Sequence, residues 1–521
     1  MNKREFLALV TTTACTLSVP KTAWSQPKFR ENPFTLGVAS GAPTSDSVVL
    51  WTRLCLDGLF GSAIGNAPIT VQWELALDEQ FKNILQTGQQ QAIFALAHSV
   101  HVEVPNLVAN SRYFYRFMVG DAISATGRTR TLPLPEGQVD SLRIAYASCQ
   151  RYDHGYFCAY KHMIKDNIDF VLFLGDYIYE YPGSTNAVRL PDKGWVLTLD
   201  DYRARYALHK REPELQAMHA ACPWLMTWDD HEVQNDYAGM NIGENGPPVL
   251  DFSARRASAY QAFFEHMPIR AATLTKALGG LASGAELRIY QQLRFGKLAT
   301  MQLLDNRQYR SIQACTRNGA AGSSQVDPTK CTVWNDPSRT MLGPEQEAWF
   351  KSHASSSTAP WNLIAQSTLF GQRNNKIGEV QTFWNDGWDG YAPARARVVE
   401  ALTSNKIAMP VMIGGDIHAN WVGHVKADYQ NPESKAVGVE FCGAGITARG
   451  GGNEGLLARL ARNPHFVFAD QERNGYGVLE VTPKQINATL RVVDTVTRSE
   501  SSIQTLASFT VLAGRPEVLR T

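Results

Sequence analysis

The stretch Phe170-Val171-Leu172-Phe173-Leu174-Gly175-Asp176-Tyr177-Ile178-Tyr179-Glu180 decides how this chain is read. An apolar run that ends abruptly in Gly-Asp predicts a buried strand that delivers a carboxylate at its carboxyl end, where the sheets of α/β proteins bind their ligands. Three more stretches repeat the pattern. Leu142-Arg143-Ile144-Ala145-Tyr146-Ala147 leads to Ser148-Cys149-Gln150, and Trp224-Leu225-Met226-Thr227-Trp228 leads to Asp229-Asp230-His231-Glu232-Val233-Gln234-Asn235-Asp236. The run from Met409 to Ile413 leads to Gly414-Gly415-Asp416-Ile417-His418-Ala419-Asn420. Helical stretches from Asp251 to Met267 and from Gly343 to His353 lie between such runs. The alternation predicts a layered α/β domain over residues 140–500.

One Gly-Asp after a strand is most often a turn. Four strand ends supplying Cys, Asp, Tyr, His and Asn to one crevice are not a coincidence of turns. Carboxylates gathered there repel one another and resist desolvation unless a cation compensates them. A multinuclear metal site is the reading that resolves this.

The flanks read differently. Within residues 32–135, Ser47-Val48-Val49-Leu50-Trp51-Thr52-Arg53, Ile69-Thr70-Val71-Gln72-Trp73-Glu74-Leu75 and His101-Val102-Glu103-Val104 alternate or run β-branched between turn residues. That pattern predicts an all-β sandwich. Leu107-Val108-Ala109-Asn110-Ser111-Arg112-Tyr113-Phe114-Tyr115-Arg116 resembles the corner of fibronectin type III domains, where a tyrosine hydroxyl ties a loop back. Nothing in this region reads as catalytic, so it is expected to pack or shield. Residues 501–521 are expected to form a C-terminal tail. Residues 1–25 have the layout of a secretory signal: Lys3 and Arg4, an apolar stretch from Phe6 to Val19, and small residues around Ala23. Lys3-Arg4-Glu5-Phe6-Leu7 resembles the twin-arginine export signal, with Lys in place of the first Arg. The expected product begins at Gln26, is exported to the periplasm or medium of a bacterium, is monomeric, and has no stable membrane span.

Composition narrows the function classes. With 521 residues, 44% hydrophobic and 19% charged, the chain is globular and long enough for more than one domain. Its 50 Lys+Arg against 49 Asp+Glu leave no basic field to hold a polyanion, which argues against a nucleic-acid complex. Of eight cysteines, Cys15 would leave with the signal, and the odd remainder implies an unpaired thiol. Cys315 and Cys331 bracket a Gly/Ser/Asn-rich loop and are expected to pair, Cys149 is the candidate for the leftover thiol, and pairing among Cys55, Cys158, Cys222 and Cys442 stays open. There is no Gly-x-Ser-x-Gly elbow and no Walker loop, so no covalent serine is called for.

Gly175-Asp176-x-x-Tyr179 together with Gly415-Asp416-x-His418 is similar to the pattern of purple acid phosphatases and the wider metallophosphoesterase superfamily. With Ala147-Ser148-Cys149, Trp228-Asp229-Asp230-His231-Glu232-Val233 and Leu304-Asp305-Asn306-Arg307-Gln308-Tyr309-Arg310 added, the chain resembles the PhoD-like alkaline phosphatases, a family that includes some phospholipase D enzymes. The resemblance implies a metallophosphoesterase-like catalytic domain of β-sheets flanked by helices, preceded by a fibronectin III/Ig-like sandwich. It further implies Fe³⁺ on Cys149, Asp176 and Tyr179, with Asp176 bridging to one or two Ca²⁺. Calcium ligands would come from Asp416, Asp230 and Asn235 with Asp229 or Asp236; Zn²⁺ or Mn²⁺ rank behind. His418 belongs to the iron side or touches phosphate.

Several roles stay open at this point. His231 either orients Asp229 or Asp230 or contacts substrate. Arg307 or Arg310 could clamp phosphate bidentately, with an ion pair to Asp305 ranked ahead of that. Trp384, Trp388, Tyr391 and Trp421 are either core or a wall at the mouth of the site. The function expected is exported, metal-dependent hydrolysis of small phosphate monoesters by a metal-bound water positioned by Asp176, Asp230, Asn235, His231 and Arg307. Phosphodiesterase or phospholipase D activity on the same site is the alternative. A surface-binding protein built on a decayed enzyme is disfavoured, because no motif residue is missing.

Overall fold

The strands Leu142–Ala147, Phe170–Leu174 and Trp224–Thr227 lie side by side and parallel, with Phe170 opposite Ile144 and Val171 opposite Trp224. The continuous apolar character of Phe170–Leu174 has a simple cause. Leu172 and Leu174 point into one apolar cluster, and Val171 and Phe173 into another on the opposite face. Alternate side chains of a strand face opposite ways, so a strand covered on both sides must be apolar throughout. Each such side chain contributes about 1.5–3 kcal/mol on burial. This computed structural model describes residues 29–56, 65–192, 194–273, 286–316, 320–376, 380–405, 407–431 and 433–521. The expected export signal lies outside the described residues.

These strands are the centre of a ten-stranded mixed sheet. A second, seven-stranded sheet carries Ala299–Leu303, Trp361–Ala365, Pro410–Gly414 and Ala436–Cys442 as parallel neighbours. The two sheets share one core, in which Ile144, Leu172 and Leu225 meet Met301, Leu363 and Val411. Helices cover both outer faces. Leu199–Lys210, Pro213–Ala221 and Phe252–His266 pack on the larger sheet, and Gly343–Ser355 and Ala392–Ser404 on the smaller. Local signals set their starts. Thr198 and Asp201 form a reciprocal cap for the first, and the Asp251 side chain accepts from the Ala254 N–H at the third. The chain is therefore of the α/β class, with its ligand-bearing strand ends shared between two sheets rather than lined along one open sheet. Among the described residues, no helix is long and apolar enough to cross a membrane.

Near the N-terminus, Ile69–Ala76, Ile84–Ala92, Arg112–Val119, Ala122–Ile123 and Gly127–Arg130 form a separate five-stranded sheet. It faces Val38–Gly41, Val48–Arg53 and Ser99–Val104 across a core that includes Val71, Leu75, Tyr115, Leu50 and Val102. Tyr113 ties its loop back as the corner pattern implies: its hydroxyl accepts from the Val108 N–H at 2.8 Å and donates to the Val108 carbonyl at 3.2 Å.

Two expected boundaries are corrected, and the expected disulfide is found. The N-terminal strands are not detached from the catalytic region, since Gly41 pairs with Trp224 and makes them the edge of the ten-stranded sheet. The expected tail at 501–521 supplies strands Ile503–Leu512 and Leu519–Arg520, whose alternating faces complete the opposite edge of that sheet. Cys315 and Cys331 are bonded, with Cα atoms 5.9 Å apart, but Cys55, Cys149, Cys158, Cys222 and Cys442 are all free and buried. Counting parity therefore does not single out Cys149; its position does.

Candidate metal centre

The four strand ends converge, and their backbone is held in an uncommon conformation. Cys149, Asp176, Asp236, Asp416 and His418 all have positive φ, between 51° and 68°. Each costs a non-glycine residue on the order of 1–2 kcal/mol, and such strain collects where surrounding structure holds side chains in place for function. Gly175 has φ 104°, and a Cβ there would stand 2.5 Å from the Asp229 nitrogen. Only glycine lets the two acidic loops approach this closely. The buried Glu232 carboxylate then fastens them, accepting the N–H groups of Asp176 at 3.0 Å, Asp229 at 2.8 Å and Tyr177.

Among the described residues, three groupings could each hold a metal ion, with the ligand atoms of each within 4.8 Å of one another. Cys149, Asp176 and His418 form the first, Asp176, Asp230 and His231 the second, and Asp230, Asp236 and Asp386 the third. Asp176 and Asp230 belong to two groupings each, so the three form a chain. Tyr179 lies against Cys149 and donates its hydroxyl to Asp176 Oδ2 at 2.8 Å, with His418 Nε2 3.1 Å from the Tyr179 hydroxyl oxygen. His418 Nδ1 faces the Arg449 carbonyl at 3.2 Å. A carbonyl only accepts, so Nδ1 carries the proton and Nε2 keeps its lone pair toward the centre. Burial lowers the His418 pKa to about 4, which leaves the ring neutral.

Charge is unevenly matched. Arg307, buried, donates to Asp229 Oδ1 and to Asp386 Oδ2 at 2.8 Å, with Asp230 Oδ2 at 3.6 Å and Asp416 Oδ2 at 4.0 Å. Arg310 and Gln313 also converge on Asp386. Burial raises the Asp386 pKa, but Arg307 and Arg310 outweigh it and hold that carboxyl below its usual range. Burial, reinforced by neighbouring carboxylates, instead pushes Asp176 and Asp416 well up and Asp236 to about 7. Asp176 Oδ1 and Asp229 Oδ2 are buried with no hydrogen-bond partner. Buried carboxylate oxygens are rarely left so, and a cation satisfies them at once. The donor set of thiol, phenol, carboxylates and one neutral imidazole therefore fits metal ions.

Other expected residues fall elsewhere. Asp229 and Asp416 belong to none of the three groupings: Arg307 holds the first, and the second accepts from the Thr368 hydroxyl at 2.5 Å. Asn235 sits at the rim, its N–H donating to Glu180 Oε1 at 2.7 Å. The Arg307–Asp305 ion pair does not form. Asp305 instead accepts from Trp228 Nε1 and from the N–H groups of Arg307 and Gln308, each at 3.0 Å, which turns the loop and aims Arg307 at the aspartates. The His231 ring pairs with Glu180, Nδ1 lying 2.7 Å from Oε2, while its backbone N–H donates to Asp230 Oδ1 at 3.0 Å, so the residue does hold Asp230, through its main chain and not its imidazole. Burial disfavours its charge, but Glu180, Asp176 and Asp230 outweigh that and raise its pKa well above the ordinary value. The aromatic group divides: Trp388 and Tyr391 are core, Trp384 lines a cavity with Asp416 and His418, and Trp421 is core on one side and cavity wall on the other.

Sequence reasoning missed Glu180, Glu232, Thr368 and Asp386. The first two sit inside the quoted motifs, and their role as fasteners has no sequence signal of its own. Asp386 lies between Trp384 and Trp388, a segment read for its aromatics alone.

Comparison with known proteins agrees with this geometry. Residues 144–490 match the family model described as PhoD-like phosphatase, and residues 20–133 match that of the PhoD-like phosphatase N-terminal domain. Alkaline phosphatase D of Bacillus subtilis (strain 168) is 43% identical over 491 residues, covering 93% of this chain and 81% of that protein. A solved structure of PhoD superposes with a TM-score of 0.88 at 41% identity, covering 95% of this chain and 93% of the other. With the strand-end motifs and their metal-ligand groupings in place, the chain belongs to the PhoD-like phosphatase family of phosphoric ester hydrolases.

Proposed function

We propose that this protein is an exported alkaline-phosphatase-type enzyme that hydrolyses phosphate monoesters with Fe³⁺ and one or two Ca²⁺. The observation that carries the reading is the chain of buried ligand groupings whose carboxylates include oxygens with no partner. Cys149, Asp176, Tyr179 and His418 would hold iron, since phenolate and carboxylate are hard donors. Asp230, Asp236 and Asp386, with Asn235 and Asp416 nearby, would hold calcium, which favours oxygen. When bound, the cations polarise the phosphoryl oxygens and lower the pKa of an attacking water. The chain's own residues do the rest. Asp176 and Asp230, each shared by two groupings, fix the spacing at which cations would be held, Glu180 holds His231 toward Asp176 and Asp230, and Arg307 keeps Asp229 and Asp386 apart in fixed places.

The room beside Asp416 and His418 favours a second reading, phosphodiester cleavage on the same site, because a diester needs space for its other arm. The tyrosine tie at Tyr113 supports a fibronectin III/Ig-like reading of residues 32–135, and the shared core of the two sheets supports metallophosphoesterase-like layering beyond residue 140. Lys3-Arg4 and the apolar stretch after them support export, and the expected assembly is a monomer.

The test combines elemental analysis and visible absorption with hydrolysis of p-nitrophenyl phosphate, bis-p-nitrophenyl phosphate and phosphatidylcholine. Iron with a phenolate charge-transfer band, activity lost on calcium chelation, and fastest turnover of the monoester are expected. A colourless, zinc-only active enzyme overturns the assignment to Tyr179, and full activity in Asp176→Ala or Cys149→Ala overturns the site.

A further inference from the structure

Next to Asp416 and His418 a cavity of about 530 Å³ opens, and its charge has the opposite sign to the metal centre. Arg373, Lys376 and Arg459 line it, and their side chains form no ion pair or hydrogen bond among the described residues. The Arg373 guanidinium carbon lies 5.5 Å from the Trp421 ring centroid, a cation–π contact that uses none of its N–H donors. Two further donors in the wall, Asn375 Nδ2 and Trp421 Nε1, are buried with no acceptor. A buried donor left unmet carries a desolvation penalty, and cations that share a cavity repel one another, with Asp389 and Asp416 offsetting Arg373 only in part and without contact to its side chain. An oxyanion relieves both penalties. The metal centre is built from acidic groups that need cations, and this cavity from cationic and donor groups that need an anion.

We infer that the cavity binds an oxyanion on the arm of the ester beyond the scissile phosphate, with Arg373 as its anchor, so that esters carrying a second phosphate or a carboxylate are preferred. This rests on the phosphoesterase reading and names the substrate class within it. Arg373 is the best anchor of the three, because its planar fork suits oxyanions bidentately and burial protects the pair from screening. Lys376 is exposed and contributes chiefly attraction at a distance.

Matched pairs of esters test this in the metal-loaded enzyme: phenyl phosphate against 4-carboxyphenyl phosphate, and propyl phosphate against propane-1,3-diyl bisphosphate. The expected result is a KM at least tenfold lower for the more anionic member of one or both pairs, with only the part contributed by exposed Lys376 shrinking as salt rises. The pair that shows it tells whether carboxylate or phosphate is preferred. In Arg373→Gln the KM ratio within a pair should fall to near one, a change that a general loss of packing would not produce. In the double variant Lys376→Gln/Arg459→Gln, which leaves the Arg373 fork in place, the ratio should fall partway. Equal KM values in the native enzyme, or an undiminished ratio in both variants, overturn the inference. If no ester is hydrolysed, the phosphoesterase reading fails separately, and calorimetric titration of the bisphosphate into native and Arg373→Gln protein decides the cavity: binding weakened at least tenfold by the substitution upholds it, and no binding or equal binding overturns it.

Discussion

Glu232→Gln tests whether the candidate metal centre depends on a residue outside its ligand groupings. In the native protein one oxygen of Glu232 accepts from both Asp176 N–H and Asp229 N–H, and the other accepts from Tyr177 N–H. Glutamine has one acceptor oxygen. Whichever way its amide turns, at least one N–H then faces an NH₂ group, and the remaining bonds lose the acceptor's charge. A hydrogen bond to a charged group contributes about 1.5–3 kcal/mol, so the loss is on the order of 2–4 kcal/mol. Much of it falls on two loops already strained, since Asp176 has a φ of 57° and Gly175 one of 104°. Outer contacts of this kind typically change metal affinity about 10–100-fold. Competition with a graded series of chelators should show a shift of that size, alongside a lowered melting temperature for the metal-free protein. Native metal affinity together with a native melting temperature would refute the idea that Glu232 sets the loop spacing.

Two further outcomes follow from geometry away from the ligands. The segment closed by Cys315 and Cys331 reaches the site, where the Ser323 hydroxyl donates to Asp236 Oδ2 at 2.7 Å. Cys315→Ser/Cys331→Ser should cost about 3 kcal/mol in chemical denaturation, the value for a loop of this length, and should weaken binding of the cation held by Asp236; an unchanged denaturation midpoint would count against it. Glu440 is buried, and burial pushes its pKa to about 7 although it accepts the N–H groups of Phe370 and Gly371. Because the folded state holds this proton more tightly than the unfolded chain, its contribution to stability is fully present below about pH 4.5 and is lost as pH rises through about 7. Denaturation of Glu440→Gln should show a flatter stability profile than the native protein between pH 5 and 7, and identical slopes would sink the argument.

What the sequence made legible follows from how local each signal is. The run Phe170–Leu174 carries its own evidence of burial, because both faces of the strand are apolar, and Leu142–Ala147 departs from this only at half-buried Arg143 near its start. The polar residues that interrupt them had to lie at strand ends, so Cys149, Asp176, Asp230 and His418 could be named from spacing and family pattern. Arg307 could be named but not paired. Its partners Asp229 and Asp386 lie 78 and 79 residues away, and only the packing of one sheet on the other brings them together. Asp305, two residues from Arg307, was the natural local partner, yet it was already occupied by backbone N–H groups. The same limit applies to the chain's ends. An alternating strand such as Ile503–Leu512 shows that it has two unlike faces, and nothing in its own residues says which sheet it joins.

Net charge shows the limit of composition most clearly. A formal balance of +1 suggests a chain with no electrostatic preference, whereas the folded protein separates its charges at one place. Asp176, Asp230, Asp236 and Asp386 are drawn together in ligand groupings, and Arg373, Lys376 and Arg459 stand around the cavity that adjoins them. Such segregation is unfavourable in the empty protein, because both clusters are partly desolvated and each repels itself. It becomes favourable when cations fill one side and an oxyanion the other. A phosphate ester bridging the two sides would place its scissile phosphate on the cations and its second anionic group on the arginines. Substrate binding would then relieve the strain on both halves, so the selectivity of the cavity and the metal dependence of the centre should be coupled, each weakening when the other is removed.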